Sequence, residues 1–349
     1  MKKTVLLLLT LIIALSMLTA CRGNTIPPQG APNTNENPPS TDPNQTPTEA
    51  PATDFEYEKS SSGEEIYITK YIGTAEHVVI PTKIEGLPVV SLKSIINQDN
   101  IREGVFENSK IKTITLHAGI RGIGYIVFKN CDALSNVIIP SDSTLKLIAD
   151  GAFMNCTAIE SLDLSSIQSL KTLGVSAFEG CTRLREIKLP DHLTTIEKRA
   201  FYGCSSLSEI YLPKGLEDLG DAAFAKCTSL KIVSIPAKVK MMAMQEPMFY
   251  ENHALEKIIF EEGRESMEGY AFFDITSGPE IVIPKSVTKF SAWVLFIHGD
   301  AKLIFEGDCP ELIAGQEKLT GTPTIYYHPG TNGWVSCVWK DDYPLKPID

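Results

Sequence analysis

The chain has 349 residues, of which 43% are apolar and 21% charged, and a formal net charge of −11. That length allows two ordinary domains or one long repeat array, and the composition is that of a folded protein. The negative charge excludes recognition of phosphate backbones as a main role, so no nucleic-acid partner is expected.

The first element in chain order is a targeting segment. Lys2 and Lys3 precede an apolar run over residues 4–17, which ends in Leu18, Thr19, Ala20 and Cys21. Small residues before a cysteine, directly after such a run, resemble a bacterial lipobox. The resemblance implies cleavage after residue 20 and a diacylglyceryl group on the Cys21 thiol. Two acyl chains anchor stably where one does not, so Cys21 is expected to hold the protein on the outer face of a cell membrane. Cleavage would remove two lysines and no acid, moving the charge from −11 to −13. No later stretch reaches the roughly 18 apolar residues of a second span.

Residues 21–54 follow as a tether. Of residues 22–54, eight are Pro, six Thr and five Asn, with Ile26 the one large aliphatic. Such a stretch buries no core and is expected to be a disordered, partly polyproline spacer reaching about 100 Å when extended.

Residues 55–100 read as an N-terminal cap fused to a first strand, with Ile66 and Ile68 alternating as in a hairpin. From there a repeat governs the chain. Phe106, Phe128, Phe153, Phe178, Phe201, Phe224, Phe249, Phe272 and Phe296 recur at steps of 22 to 25 residues. In one unit, Leu184, Ile187 and Leu189 form an L-x-x-I-x-L strand with Lys188 facing outward, and Pro190 ends it. Leu193 and Ile196 turn inward on the return. Ala200, Phe201 and Cys204 have the tighter spacing of a helical or 3₁₀ turn. Each unit is one coil of a solenoid and cannot bury its apolar side alone. The repeats are assigned to residues 101–306 and a C-terminal cap to 307–349. In that cap Tyr326, Tyr327, Trp334 and Trp339 are expected to plug the open core, as a last hairpin or strand.

The pattern A-F-x-G/N-C-x-x-L-x-x-I-x-L/I-P resembles the BspA-type leucine-rich repeat of bacterial surface proteins over about residues 76–305. The stretch from Tyr326 to Trp334 resembles that family's ending. The resemblance implies a leucine-rich-repeat solenoid, α+β, with short parallel strands on one face and helical or 3₁₀ turns on the other. It also implies a cell-surface location; some members bind extracellular-matrix proteins. Met242, Met248, Asn252 and Ile275 depart from the pattern.

Chemical constellations are sparse. The eight cysteines include no C-x-x-C pair. Cys131, Cys156, Cys181, Cys204 and Cys227 hold one position in successive coils, where side chains point the same way and do not converge on each other. Ser109, Asn252 and Ile275 stand at the same position, so a small buried group is read there and not a covalent bond. Cys309 and Cys337 in the cap could form one disulfide. The six His are scattered, Ser176 lacks the closing Gly of a nucleophile elbow, and no catalytic residue, metal site or cofactor is expected.

Repeat solenoids bind along the surface made by their strands. Aligning the outward positions gives a candidate ligand face. Its centre is polar, with Asp163, Glu186, Lys188, Glu209 and Tyr211, and its C-terminal third is aliphatic, with Ile232, Ile259, Val282 and Ile304. The reading is a non-enzymatic, lipid-anchored binding protein, monomeric, with a protein or glycan macromolecule as partner. A structural envelope role and carbohydrate capture are the alternatives. Tyr211 is the one aromatic in the aligned positions, which disfavours sugar capture.

Overall fold

A computed structural model of the protein describes residues 48–100, 102–240, 246–269, 271–313 and 318–348. The signal segment, Cys21, most of the tether and Met242 lie outside the described residues. The described residues form one unit, a stack of coils in which each coil contributes up to three short segments.

The strand face holds twelve strands among the described residues, from His77–Val79 to Leu345–Pro347. All pair in parallel, as coils that repeat in one direction must. In the three-residue strands Glu186–Lys188 and Glu209–Tyr211 only the middle residue is buried. Lys188 and Tyr211 therefore face solvent while Ile187 and Ile210 enter the core.

The return segment makes a second ladder. Gly122–Ile123, Leu147–Ile148, Thr172–Leu173, Thr195–Ile196 and Asp218–Leu219 pair in register. The ladder extends N-terminally into the cap, where Leu87–Leu92 pairs with Ile66–Tyr71. The cap's outer strand, Phe55–Lys59, is antiparallel to Ile66–Tyr71, which is the hairpin that the alternation of Ile66 and Ile68 indicates.

The corner between the two ladders carries the recurrent Phe and Cys. The tight spacing there does not form helix. The reason lies in where the backbone bonds go. Phe153 N–H donates to Ala177 C=O of the next coil at 2.8 Å, and Asn155 N–H to Glu179 C=O at 2.7 Å. Groups that bond from coil to coil are not available to an i→i−4 ladder within one coil. The turn is closed instead by an i+3 bond, such as Cys156 N–H to Phe153 C=O at 3.1 Å. Two residues per corner adopt left-handed backbone: Ser176 and Gly180 in one coil, Arg199 and Gly203 in the next. The G/N of the sequence pattern follows from the second of these, because Gly and Asn enter that region at least cost.

The core is one continuous column. Phe106, Phe128, Phe153, Phe178, Phe201, Phe224, Phe249 and Phe272 stack face to face with centroids 4.8–5.4 Å apart. Tyr71 and Phe55 of the cap close the column at its N-terminal end. Phe296, expected as its last member, is not in it. The ladder keeps the offset that pairs Phe249 with Phe272, so Phe272 pairs with Leu295, which fills the interior place, and Phe296 pairs with Phe273. Phe296 stacks on Phe273 outside the column, at 4.7 Å. In this last third the corner itself becomes strand, at Phe249–Tyr250, Phe272–Ile275 and Leu295–Ile297, which suits its aromatic and β-branched residues.

The C-terminal cap is not a hairpin. Thr324–Tyr327 and Leu345–Pro347 continue the parallel strand face. Trp334 and Trp339 sit in short 3₁₀ turns, both fully buried, against Phe305 and Phe290. These two plug the core as expected. Tyr327 stacks on Trp334 at 5.2 Å, whereas Tyr326 stays on the strand face beside Ile304.

Candidate binding face

The strand face presents its side chains in rows, because register places equivalent residues of neighbouring coils side by side. Asp163 is opposite Lys188, and Ser161 opposite Glu186. The Lys188 ammonium lies 3.6 Å from Asp163 and 3.7 Å from Glu186, with all three side chains more than half exposed. Pairs this exposed contribute little to stability. Asp163 is held below the usual carboxylate range, first by the hydroxyl and backbone N–H of Ser165 and then by Lys188. It remains a carboxylate, oriented and solvent-facing.

Tyr211 is 79% exposed, the highest among the aromatic side chains of this face. Its hydroxyl donates to Glu209 at 3.2 Å, which raises the phenol further from ionisation. A large aromatic with a polar tip and few internal contacts is the kind of side chain that anchors interfaces.

The aliphatic third occupies two rows. Ile259, Val282 and Ile304 are register partners and lead on to Tyr326. Ile232 is not in that row; it lies between Glu209 and Lys257. Ile232 is 42% exposed, while Ile259, Val282 and Ile304 are half-buried. In their row Ser234, Ile259, Val282, Ile304 and Tyr326 are successive partners, so each of the three has a neighbour on both sides.

The polar centre has a feature that the aligned sequence does not show. The strand face is split. Its strands fall into sheets of three, two and seven, with breaks between Asn136–Ile138 and Ser161–Asp163 and between Glu186–Lys188 and Glu209–Tyr211. A cavity of about 550 Å³ occupies the first break, lined by Asn136, Ile138, Glu160, Ser161, Asp163 and Arg183 among others. Unlike Thr113–Thr115 and Ser161–Asp163 on either side, Asn136–Ile138 has no buried residue, and Ile138 is 50% exposed. Arg183 pairs with Glu160 beside the cavity. Coil length does not mark the break: the paired strands that start at Ser161 and Glu186 are 25 residues apart, and the unpaired ones that start at Glu186 and Glu209 are 23 apart.

The recurrent cysteines are elsewhere, on the interior of the corner. Each is buried, and each donates its S–H to the Phe carbonyl of an adjacent coil: Cys156 to Phe128 at 3.0 Å, Cys181 to Phe153 at 3.2 Å, Cys204 to Phe178 at 3.2 Å. Burial pushes the Cys131 thiol up to about 11 and those of Cys181 and Cys227 up to about 12. They are inert thiols. Among the described residues no three His, Cys, Asp or Glu side chains converge as metal ligands, and no helix is long and apolar enough to cross a membrane.

Parallel coils with inward Leu and Ile, a Phe column and an outward strand face define a leucine-rich-repeat solenoid. The pattern described as "BspA type Leucine rich repeat region" matches residues 99–231 and 171–296 in six copies, which spans more than half of the chain. The chain belongs to this BspA-type leucine-rich repeat family. Solved structures similar to it include a Treponema pallidum leucine-rich repeat protein, 22% identical, covering 78% of this chain and 98% of that one, with a TM-score of 0.35. A leucine-rich cell-surface protein from Faecalibacterium prausnitzii is 18% identical, with coverages of 76% and 96% and a TM-score of 0.40. The pneumococcal vaccine antigen PcpA is 15% identical, with coverages of 86% and 99% and a TM-score of 0.43. No curated protein matches the chain.

Proposed function

We propose that this protein is a non-enzymatic recognition module, exported and held on the outer face of a cell membrane by a lipid on Cys21, that binds a protein or glycan macromolecule through the centre of its strand face. The observation that carries the reading is the contrast along that face. Asp163, Glu186, Lys188, Glu209 and Tyr211 are exposed around the split in the ladder, whereas the aliphatic row beyond is shielded. Ile232 borders the polar centre and belongs to the contact surface; Ile259, Val282 and Ile304 form its less accessible flank.

A panel of extracellular-matrix proteins, cell-wall fragments and glycans, presented to the protein, tests the reading. A retained ligand should lose at least tenfold in affinity to the variant Glu186→Lys/Glu209→Lys/Tyr211→Ala, which replaces exposed side chains and leaves the fold intact. Undiminished binding by a well-folded variant places the site elsewhere. A panel with no retained member favours the structural envelope role. Lipid anchoring has its own test: Cys21→Ala should move the protein from the membrane fraction to the medium, and a variant still recovered with membranes contradicts the anchor.

A further inference from the structure

Two cysteines differ from the five in the column. Cys309 lies in the turn after the strand Lys302–Phe305, and Cys337 between the two 3₁₀ turns that carry Trp334 and Trp339. The chain separates them by 28 residues, yet the Cys309 S–H is aimed at the Cys337 sulfur at 2.6 Å. The approach is built by the surrounding backbone. Cys309 N–H donates to Asn332 C=O at 2.9 Å, and Asn332 N–H to the Asp308 carboxylate at 2.7 Å. Gly333 has φ +83°, and a Cβ there would meet the Cys309 Cβ at 3.2 Å. A glycine is therefore required for the two segments to come this close. The pair also borders an open cavity of about 480 Å³, with Pro310, Gly333, Ser336 and Val338. Val335 and Val338 beside it are 91% and 60% exposed. The column thiols have neither feature: each is sealed in the core with its S–H on a Phe carbonyl.

We propose that Cys309 and Cys337 are a covalent modification site, an exchange-accessible dithiol that closes to a disulfide and latches the C-terminal cap over the core. The oxidant is a disulfide-bonded exchange partner, of the class of oxidised glutathione or a dithiol oxidoreductase. Cys309, the more exposed of the two, gives up its proton and attacks one sulfur of the partner, and the partner's S–S bond breaks. The Cys337 thiolate then attacks the Cys309 sulfur, and the partner's second thiol leaves. Two S–H bonds are lost and one S–S bond forms in the protein; the partner's disulfide takes the two electrons and both protons and becomes two thiols. The close approach of Cys309 favours the Cys337 thiolate and lowers that thiol's pKa, which suits the resolving role. The bond ties the segments that flank Trp334 and Trp339, the residues that cover Phe305 and Phe290.

The test uses the full-length protein. One sample is treated with oxidised glutathione and one with a phosphine reductant; both are then unfolded, alkylated and digested. The oxidised sample should show two fewer alkylated cysteines and one linked peptide pair containing Cys309 and Cys337. It should also melt several degrees higher than the reduced sample, as expected for closing a loop of this length. That gap should vanish in Cys337→Ser, with Cys309 then captured as a mixed disulfide. A sample with all thiols still free, a linked pair involving a column cysteine, or equal melting of the linked and reduced forms each overturns the latch. The first two measurements need no variant, so a misfolded substitution cannot mask the result.

Discussion

Cys181 and Asn252 make the same bond in different coils. The thiol donates to Phe153 C=O at 3.2 Å, and the Asn252 amide donates to Phe224 C=O at 3.0 Å. This explains why Cys and Asn share the position: each supplies a small buried donor, whereas Ser109, in the first coil, is half-buried and lies against Cys131 instead. Ile275 fills the same place without one. The buried thiols also set an alkaline limit. Their folded pKa values of about 11 to 12 exceed that of an unfolded thiol, about 8.5. The folded state therefore favours the protonated form. Its stability is complete below about pH 8.5 and is lost as the pH rises through the folded values. The melting temperature should fall between about pH 9 and 11, and less steeply in Cys181→Ser. An alkylating reagent should label the five column cysteines only after unfolding; rapid labelling of the native protein would contradict their burial. Gly203 isolates the backbone requirement of the corner. Its φ is +72° and the space within 4 Å of where a methyl would stand is empty, so Gly203→Ala should cost about 1–2 kcal/mol by conformation alone. Gly203→Asn should cost less, and chemical denaturation of both variants measures the difference.

At the scale of elements, the Phe column and the aromatic pairs outside it differ in what they support. Phe178 is fully buried between Phe153 and Phe201, with both interplanar angles 3°. Phe178→Ala should cost about 3–5 kcal/mol. Phe296 is half-buried and outside the column, so Phe296→Ala should cost much less. Equal losses for the two would contradict the register that pairs Leu295 with Phe272 and puts Leu295 inside. Much of this level is legible in the sequence. The period of Phe106 to Phe272, the inward Ile187 and Leu189, and the cap hairpin are local patterns, and local pattern fixes which face of a segment is buried. The exceptions are pairings between coils. The tight Ala200–Phe201–Cys204 spacing suggests a helical or 3₁₀ turn; a single i+3 bond from Cys204 to Phe201 closes it as the second, and the other backbone bonds run to the next coil, so no α-helix forms. Phe296 fits the period, but the ladder register pairs it with Phe273 and Leu295 with Phe272, one place from where the period puts it. The breaks beside Asn136–Ile138 and Glu186–Lys188 have no mark in coil length or residue type, because they depend on where one coil sits on the next.

For the whole molecule, stability is close to a sum over coils and their interfaces, so the ends decide where unfolding starts. Trp339 covers Phe290 and Phe305. Trp339→Ala should expose the last coils and give fast hydrogen exchange from about the C-terminal third, with the coils near Phe153 still protected. Uniform exchange along the chain would show a single cooperative block instead. The candidate face is legible in the sequence as a set of positions, since alternation along a strand tells which residues point outward. Its subdivision into an exposed centre and a shielded aliphatic row is not, because exposure depends on which side chains of the adjoining coils flank each residue.

The split strand face has a mechanical consequence. Between Asn136–Ile138 and Ser161–Asp163 no strand pairing joins the coils, while the second ladder remains zipped from Gly122 to Leu219. The second ladder is thus a spine, and the strand face an unsewn edge. Bending about that spine opens either break in the strand face without rupturing a strand-face ladder bond, so compliance is concentrated at two seams, one beside Asp163 and one between Lys188 and Glu209.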